Sequence, residues 1–275
     1  MIKRIGIIGY GNMGSAIAGW IKTEFQLFIF DKDKNKTANQ SGIKVCASVR
    51  DLMNSVDAAI LAVKPQDFDG LLNELKGYLK GKLVISIAAG VTTAHIEKLL
   101  GSARVIRVMP NFPVKIKEGM TCICKGKLVG EEDLKFAEEL FDRVGKTLVI
   151  NENMMNAATA VSGSGPGFFC DLVEGKSLEQ IKFFSEQYFI PYLTAAARNR
   201  GFSPQEAEIL SVTTGAGAVQ YLIKEGVTPA EVKKQVASQG GTTEAGLKEL
   251  DHDIKNLENA VKAALRRAKE LSREE

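Results

Sequence analysis

No apolar run in this 275-residue sequence reaches the roughly 18 residues that a membrane-crossing helix needs, so a helical membrane span is not expected. Excess charge of one sign is also lacking. The 36 basic and 33 acidic residues are interspersed and leave a net charge of +3, too little to imply nucleic acid or an anionic membrane as partner. Histidine is nearly absent, with only His95 and His252, and both read as surface or helix-end residues. The four cysteines, Cys46, Cys122, Cys124 and Cys170, are scattered. Cys122 and Cys124 in "MTCICKG" fall on one face of a strand. With no histidine or second cysteine pair nearby, they read as buried reduced thiols rather than metal ligands, and no metal is expected. The opening "MIKRIGIIGYGNMG" has glycines where a signal peptide would carry its apolar core, so the expected location is the cytoplasm.

Apolar residues make up 45% of the chain and charged residues 25%, the profile of a soluble globular protein of one large or two ordinary domains. Short apolar strand candidates occur at 4–9, 27–30, 58–63, 82–88, 104–109, 120–124 and 146–150, with helical patterns between most of them. Continuous apolar strands alternating with helices predict a doubly wound, mostly parallel α/β sheet covered on both faces. After Asn151 only helical periodicity remains. Pro204 and Pro229 stand at first helical positions, after Ser203 and Thr228 as candidate caps. The expected division is a sheet domain over 1–151 and an all-helical domain over 152–275.

The N-terminal strand runs into "GYGNMG", a G-x-G-x-x-G pattern of Gly9, Gly11 and Gly14 that opens an amphipathic helix, with Asn12 and Met13 inside it. Strand, glycines and helix together are the context of a Rossmann dinucleotide site. Gly9 allows the tight turn, Gly11 lets the backbone approach a pyrophosphate, and Gly14 lets helix and strand pack closely. The helix N-terminus offers N–H groups and its positive dipole end to the phosphates. The second strand ends in "FIFDKDKNK", where Asp31 lies near the position of an acid that takes a ribose hydroxyl. Lys32, Lys34 and Lys36 could instead hold a 2′-phosphate. The expected cofactor is NAD(P)H, with a lean to NADH.

The segments "IGIIGYGNMGSAI", "LAVKPQ", "VISIAAGVT", "RVMPNFPVKIKEGMT", "TAVSGSGPG" and "SQGGTTEAGL" follow one another along nearly the whole chain. In that order they resemble the pyrroline-5-carboxylate reductases, which make proline from a cyclic imine. The resemblance implies further cofactor contacts at Val63, Lys64 and Pro65 after the third strand, at the small residues Ala88, Ala89 and Gly90, and at Asn111. Lys64 could equally be a surface lysine.

The resemblance also implies that "SQGGTT" holds the substrate. Ser238 and the backbone of Gly240, Gly241 and Thr242 would take the carboxylate, and Thr243 would hydrogen-bond the ring nitrogen as the catalytic residue. On spacing alone, Thr243 could be a helix cap. A protonated imine is already an electrophile, so no acid or base is required. Helical domains of two subunits would interlock into a homodimer or a larger assembly of dimers, with Thr243 of one chain serving the cofactor domain of another.

Three departures from the family pattern are Gln239 in place of proline, Phe112 in place of threonine, and an extended 168–189 region. They keep open a paralogue that reduces a related cyclic imine, or a non-catalytic dinucleotide-binding regulator. A β-hydroxyacid dehydrogenase would need a lysine soon after the glycine-rich turn of the second domain, and none occurs before Lys176.

Overall fold

The computed structural model describes residues 2–272. Its N-terminal part alternates β1 (Arg4–Ile8), α1 (Asn12–Ile21), β2 (Gln26–Phe30), α2 (Lys34–Thr37), β3 (Lys44–Val45), α3 (Val49–Ser55), β4 (Ala58–Leu61), α4 (Pro65–Leu75), β5 (Leu83–Ser86) and α5 (Thr93–Leu100). Then follow β6 (Arg104–Pro110), β7 (Gly119–Lys125), α6 (Glu131–Phe141) and β8 (Gly145–Val149). The remainder is helical: α7 (Met155–Ala158), α8 (Gly165–Leu172), α9 (Leu178–Phe184), α10 (Ile190–Asn199), α11 (Pro204–Glu225), α12 (Pro229–Val236), α13 (Thr242–Leu250) and α14 (Leu257–Leu271).

The strands form one sheet in the order β3-β2-β1-β4-β5-β6-β7-β8. Pairing is parallel from β3 through β6. The order steps outward from β1 in both directions, which creates the switch point beside β1 where ligands bind in open α/β sheets. Every residue of β4 and β5 is buried, as continuous apolar runs covered by helices on both faces require. β7 runs against β6: Gly126 N donates to Val105 O and Asn111 N to Met120 O, so partners recede along one strand as they advance along the other. The two-residue strand β3 was not visible in sequence, because Lys44 and Val45 are both exposed and carry no apolar run.

The chain packs as two compact units. One runs from the N-terminus to Val108 and resumes over Ile123–Arg143; the other comprises Met109–Cys122 and Val144–Ser272. The expected division was contiguous and fell at 151. The loan of 109–122 to the helical unit has a visible cause. Asn111 Nδ2 donates to Ser162 O at 3.2 Å, and the Phe112 ring meets Tyr221 edge-on at 4.7 Å between centroids. Phe112 is thereby committed to packing under α11, with Lys115 Nζ 4.2 Å from its ring centre.

The helical caps follow local chemistry. Ser203 accepts from Glu206 N and Thr228 from Glu231 N, each a reciprocal capping box with proline in the first turn. The extended region 168–189 is not one long helix. α8 stops after Leu172, the chain turns through Gly175 at φ +77, and Ser177 caps α9 with a third capping box. Both histidines sit at helix ends: His95 in the first turn of α5, 2.9 Å from Asp69, and His252 just past α13. Among the described residues, no helix is long and apolar enough to cross a membrane, and no cluster of side chains could hold a metal.

All four cysteines are free. Burial pushes the thiols of Cys122 and Cys170 up to about 12, and Cys124 is equally enclosed. Thiolate is the reactive form. Titration of native protein with a thiol reagent near neutral pH is therefore expected to modify only the half-buried Cys46, and slowly, because burial raises that thiol too. All four should react after denaturation, and rapid native modification of more than one would contradict this packing.

Candidate active site

In the first unit, the loop after β1 and the ends of β2 and β4 enclose a cleft of about 390 Å³. Gly9, Gly11, Asp31, Val63 and Lys64 line it, as does Gln66 at the start of α4. Gly9 holds φ +96, and a side chain there would press on the Ala62 carbonyl at 2.6 Å. A Cβ at Gly14 would collide with the Gly9 carbonyl, which keeps α1 close against β1. Gly11 is different: a Cβ there would meet nothing within 4 Å, so that hydrogen faces open space at the cleft. Gly11 is also the N-cap of α1 and offers no side-chain acceptor, so it leaves the first-turn N–H groups of Asn12 and Met13 uncapped. Open space, an uncapped helix start and a backbone free to approach fit the pyrophosphate of a dinucleotide.

Asp31 directly follows β2, and its side chain is 9% exposed. One oxygen accepts from Tyr10 N at 2.7 Å and the other from Asp33 N at 2.9 Å, with Lys36 Nζ 3.6 Å away. The carboxylate thus pins the glycine loop to the end of β2. Lys32 leans towards Asp67 at 3.9 Å, an exposed pair of little energetic weight. Pro65 opens α4 with Lys64 as its N-cap residue. Ala88, Ala89 and Gly90 follow β5 at the same sheet edge, but they do not line this cleft. Asn111 belongs to the other unit and is 2% exposed; its side chain donates to Ser162 O and accepts from Met120 N at 2.8 Å. Here it works as a brace between the end of β6, β7 and the helix start at Ser162.

In the second unit, α12 ends at Val236 and α13 begins at Thr242, so "SQGGTT" is a helix-to-helix turn. Gly240 takes φ +68, and Gly241 caps α13 without a side-chain acceptor. A Cβ at Gly241 would stand 2.5 Å from Ser238 Oγ, so the glycine leaves that hydroxyl room. Arg267 Nε donates to Gly240 O at 2.8 Å, and the Glu244 carboxylate accepts from Gly240 N. Gln239 is exposed on this turn. Thr243 is 5% exposed, and its methyl lies 2.5 Å from where a Cβ at Gly167 would stand. Ser164 Oγ and Thr242 Oγ1 are 3.0 Å apart. The structure therefore brings the serine- and glycine-rich start of α8 onto the threonine turn of the same chain. Ser164 and Arg267 were not singled out from sequence; Ser164 was legible only as part of a helix opening.

Two family models match the chain: "NADP oxidoreductase coenzyme F420-dependent" over residues 4–90, and "Pyrroline-5-carboxylate reductase dimerisation" over residues 187–275. Pyrroline-5-carboxylate reductase of Methanosarcina acetivorans is 34% identical over 98% of this chain and 98% of its own length. That of Aquifex aeolicus is 34% identical over 91% of this chain and 90% of its own. The crystal structure of Plasmodium falciparum pyrroline carboxylate reductase with NADP bound is 30% identical, covers 98% of both chains and superimposes with a TM-score of 0.63. A glycine-loop cleft in a Rossmann unit, a threonine turn in a helical unit and similarity along the full length of both converge on one conclusion: the chain belongs to the pyrroline-5-carboxylate reductase family, an oxidoreductase family, and carries its NAD(P)-binding and dimerisation regions.

Proposed function

We propose that this protein reduces 1-pyrroline-5-carboxylate to proline. The observation that carries the reading is the threonine turn, where the Ser164 and Thr242 hydroxyls meet at 3.0 Å and the buried Thr243 stands in the first turn of a helix without a side-chain cap. The N–H groups of that first turn and Ser238 suit a carboxylate; Gly240 N is held by the Glu244 carboxylate, and Arg267, which holds Gly240 O, is paired with Glu270. The Thr243 hydroxyl oxygen would accept from the iminium N–H and so set the orientation of the ring. The buried thiols of Cys122 and Cys170 are held protonated by burial and offer no base. None is required, because the iminium nitrogen already carries the proton that remains on the product amine, and the C=N π pair becomes the nitrogen lone pair.

When bound, a nicotinamide cofactor would supply the hydride for the imine carbon. Gly9, Gly11, Asn12, Met13 and Gly14 would hold its pyrophosphate, with Asp31, Val63, Lys64 and Pro65 along the cleft and Ala88, Ala89, Gly90 and Asn111 further along. Asp31 favours NADH, since its near-buried carboxylate would repel a 2′-phosphate that Lys32 and Lys36 would only partly offset.

The test is oxidation of NADH and NADPH, measured separately, with 1-pyrroline-5-carboxylate and with its six-membered homologue piperideine-6-carboxylate. Turnover of the five-membered ring, faster with NADH, is expected. Turnover of the larger ring alone would move the assignment to a related cyclic imine. Cofactor binding with neither reaction would leave the non-catalytic regulator.

A further inference from the structure

The tyrosine inside the glycine loop has no part in the pattern that marks a dinucleotide site, which fixes only the glycines around it. We propose that Tyr10 sets how the cleft discriminates between NADH and NADPH, by holding the segment 31–40 at both of its ends. This rests on reading the cleft as the cofactor site.

Tyr10 grips that segment twice. Its backbone N–H donates to Asp31 Oδ2 at 2.7 Å, where the segment leaves β2. Its hydroxyl donates to Gln40 Oε1 at 3.0 Å, at the far end. The Gln40 amide is oriented for this, because its Nε2 donates to Ala38 O at 3.2 Å and leaves Oε1 to accept. The tyrosine is 8% exposed, and burial pushes the hydroxyl pKa up, so it stays protonated and donates near neutral pH. The chain turns back towards Tyr10 at Asn39, whose φ of +58 lies in the left-handed region that asparagine tolerates.

What the segment carries is what a 2′-phosphate would meet. Lys32, Asp33 and Lys36 line the cleft. With the segment held in this way, Lys36 Nζ lies 3.6 Å from Asp31 and Lys32 Nζ 3.9 Å from Asp67, so both ammonium groups lean on carboxylates. Asp31 is itself fixed by Tyr10 N and Asp33 N. A ribose hydroxyl donates to such a carboxylate, whereas a 2′-phosphate brings like charge against it. To admit the phosphate, the segment must draw back and turn Lys32 and Lys36 towards it. The Tyr10–Gln40 bond opposes that movement. Its removal frees the far end of the segment, while the near end stays pinned through the backbone of residue 10.

Calorimetric titration with NADH and with NADPH, at one ionic strength, tests this on the full chain and on Tyr10→Phe, Gln40→Met and the two combined. Tyr10→Phe keeps the buried ring and loses only the hydroxyl. Affinity for NADPH relative to NADH should rise about fivefold, the scale of one hydrogen bond. Gln40→Met removes the same bond from the other side and should give the same shift. The double variant should add nothing to either, since the bond is already lost. Gln40 is only half-buried, so its variant serves if the glycine loop does not tolerate a change at Tyr10.

A residue that merely packs the segment would weaken both cofactors alike. That result, an unchanged ratio, a shift against NADPH, or additive shifts in the double variant would each overturn the proposal. Binding of neither cofactor by the wild type would overturn the cofactor reading and the role of Tyr10 with it. The wild type alone decides the lean to NADH, and the change from wild type to variant decides the role of Tyr10, so the two fail separately.

Discussion

Gly11→Val yields a protein that folds but does not hold its dinucleotide. Gly11 sits at φ −82 and ψ −164, extended backbone that valine also adopts, and a Cβ there meets no heavy atom within 4 Å. The melting temperature should therefore move by only a few degrees, reflecting a poorer N-cap residue. The same open space is where a pyrophosphate must approach the backbone, and a branched side chain fills it. Affinity for NADH and NADPH should fall by about 100-fold or more, equivalent to roughly 2.7 kcal/mol. Calorimetric titration beside a thermal melt separates the two effects. Gly14→Val is the contrasting control, since its Cβ would overlap the Gly9 carbonyl and destabilise the strand–helix unit itself. Wild-type cofactor affinity in Gly11→Val would mean that the glycine loop does not cradle phosphate.

Thr243→Val should lower kcat/KM for imine reduction by about 100-fold while leaving cofactor affinity within a factor of about two. Valine is the informative replacement. The Thr243 methyl is wedged against Gly167, and valine keeps it; only the hydroxyl becomes a second methyl. Alanine would open a cavity in the same place and confuse packing with chemistry. A site built to hydrogen-bond a ring nitrogen discriminates strongly when its donor or acceptor is lost, because the partner group is then desolvated without compensation. Unchanged turnover in Thr243→Val would remove this residue from the mechanism and leave it as a buried member of the first turn of α13.

Much of the fold was legible because its signals are local. The apolar runs of β1, β4 and β5 and the spacing of Gly9, Gly11 and Gly14 each describe a few consecutive residues. The boxes at Ser203 and Thr228 are local too, and they appear where their chemistry predicts. β3 was invisible because two exposed residues carry no periodicity, and its existence depends on β2 offering an edge. Asn111 could be read from sequence only as lying at a strand end; the engagement of its side chain with Ser162 and Met120, 51 and 9 residues away in sequence, could not. Phe112 stood out as a substitution in a motif; its edge-on contact with Tyr221 depends on α11 lying over it.

Sequence by itself determined the α/β-then-helical order, the dinucleotide loop and the threonine turn, since each is written in neighbouring residues whose backbone preferences need no distant partner. Tertiary structure alone decided that 109–122 packs with the helical unit and that β7 runs antiparallel to β6. It also decided that Ser164 meets Thr242 across 78 residues of the same chain. Such contacts arise when helices close on one another at the few places where a glycine permits it, and no local pattern records which surfaces will meet.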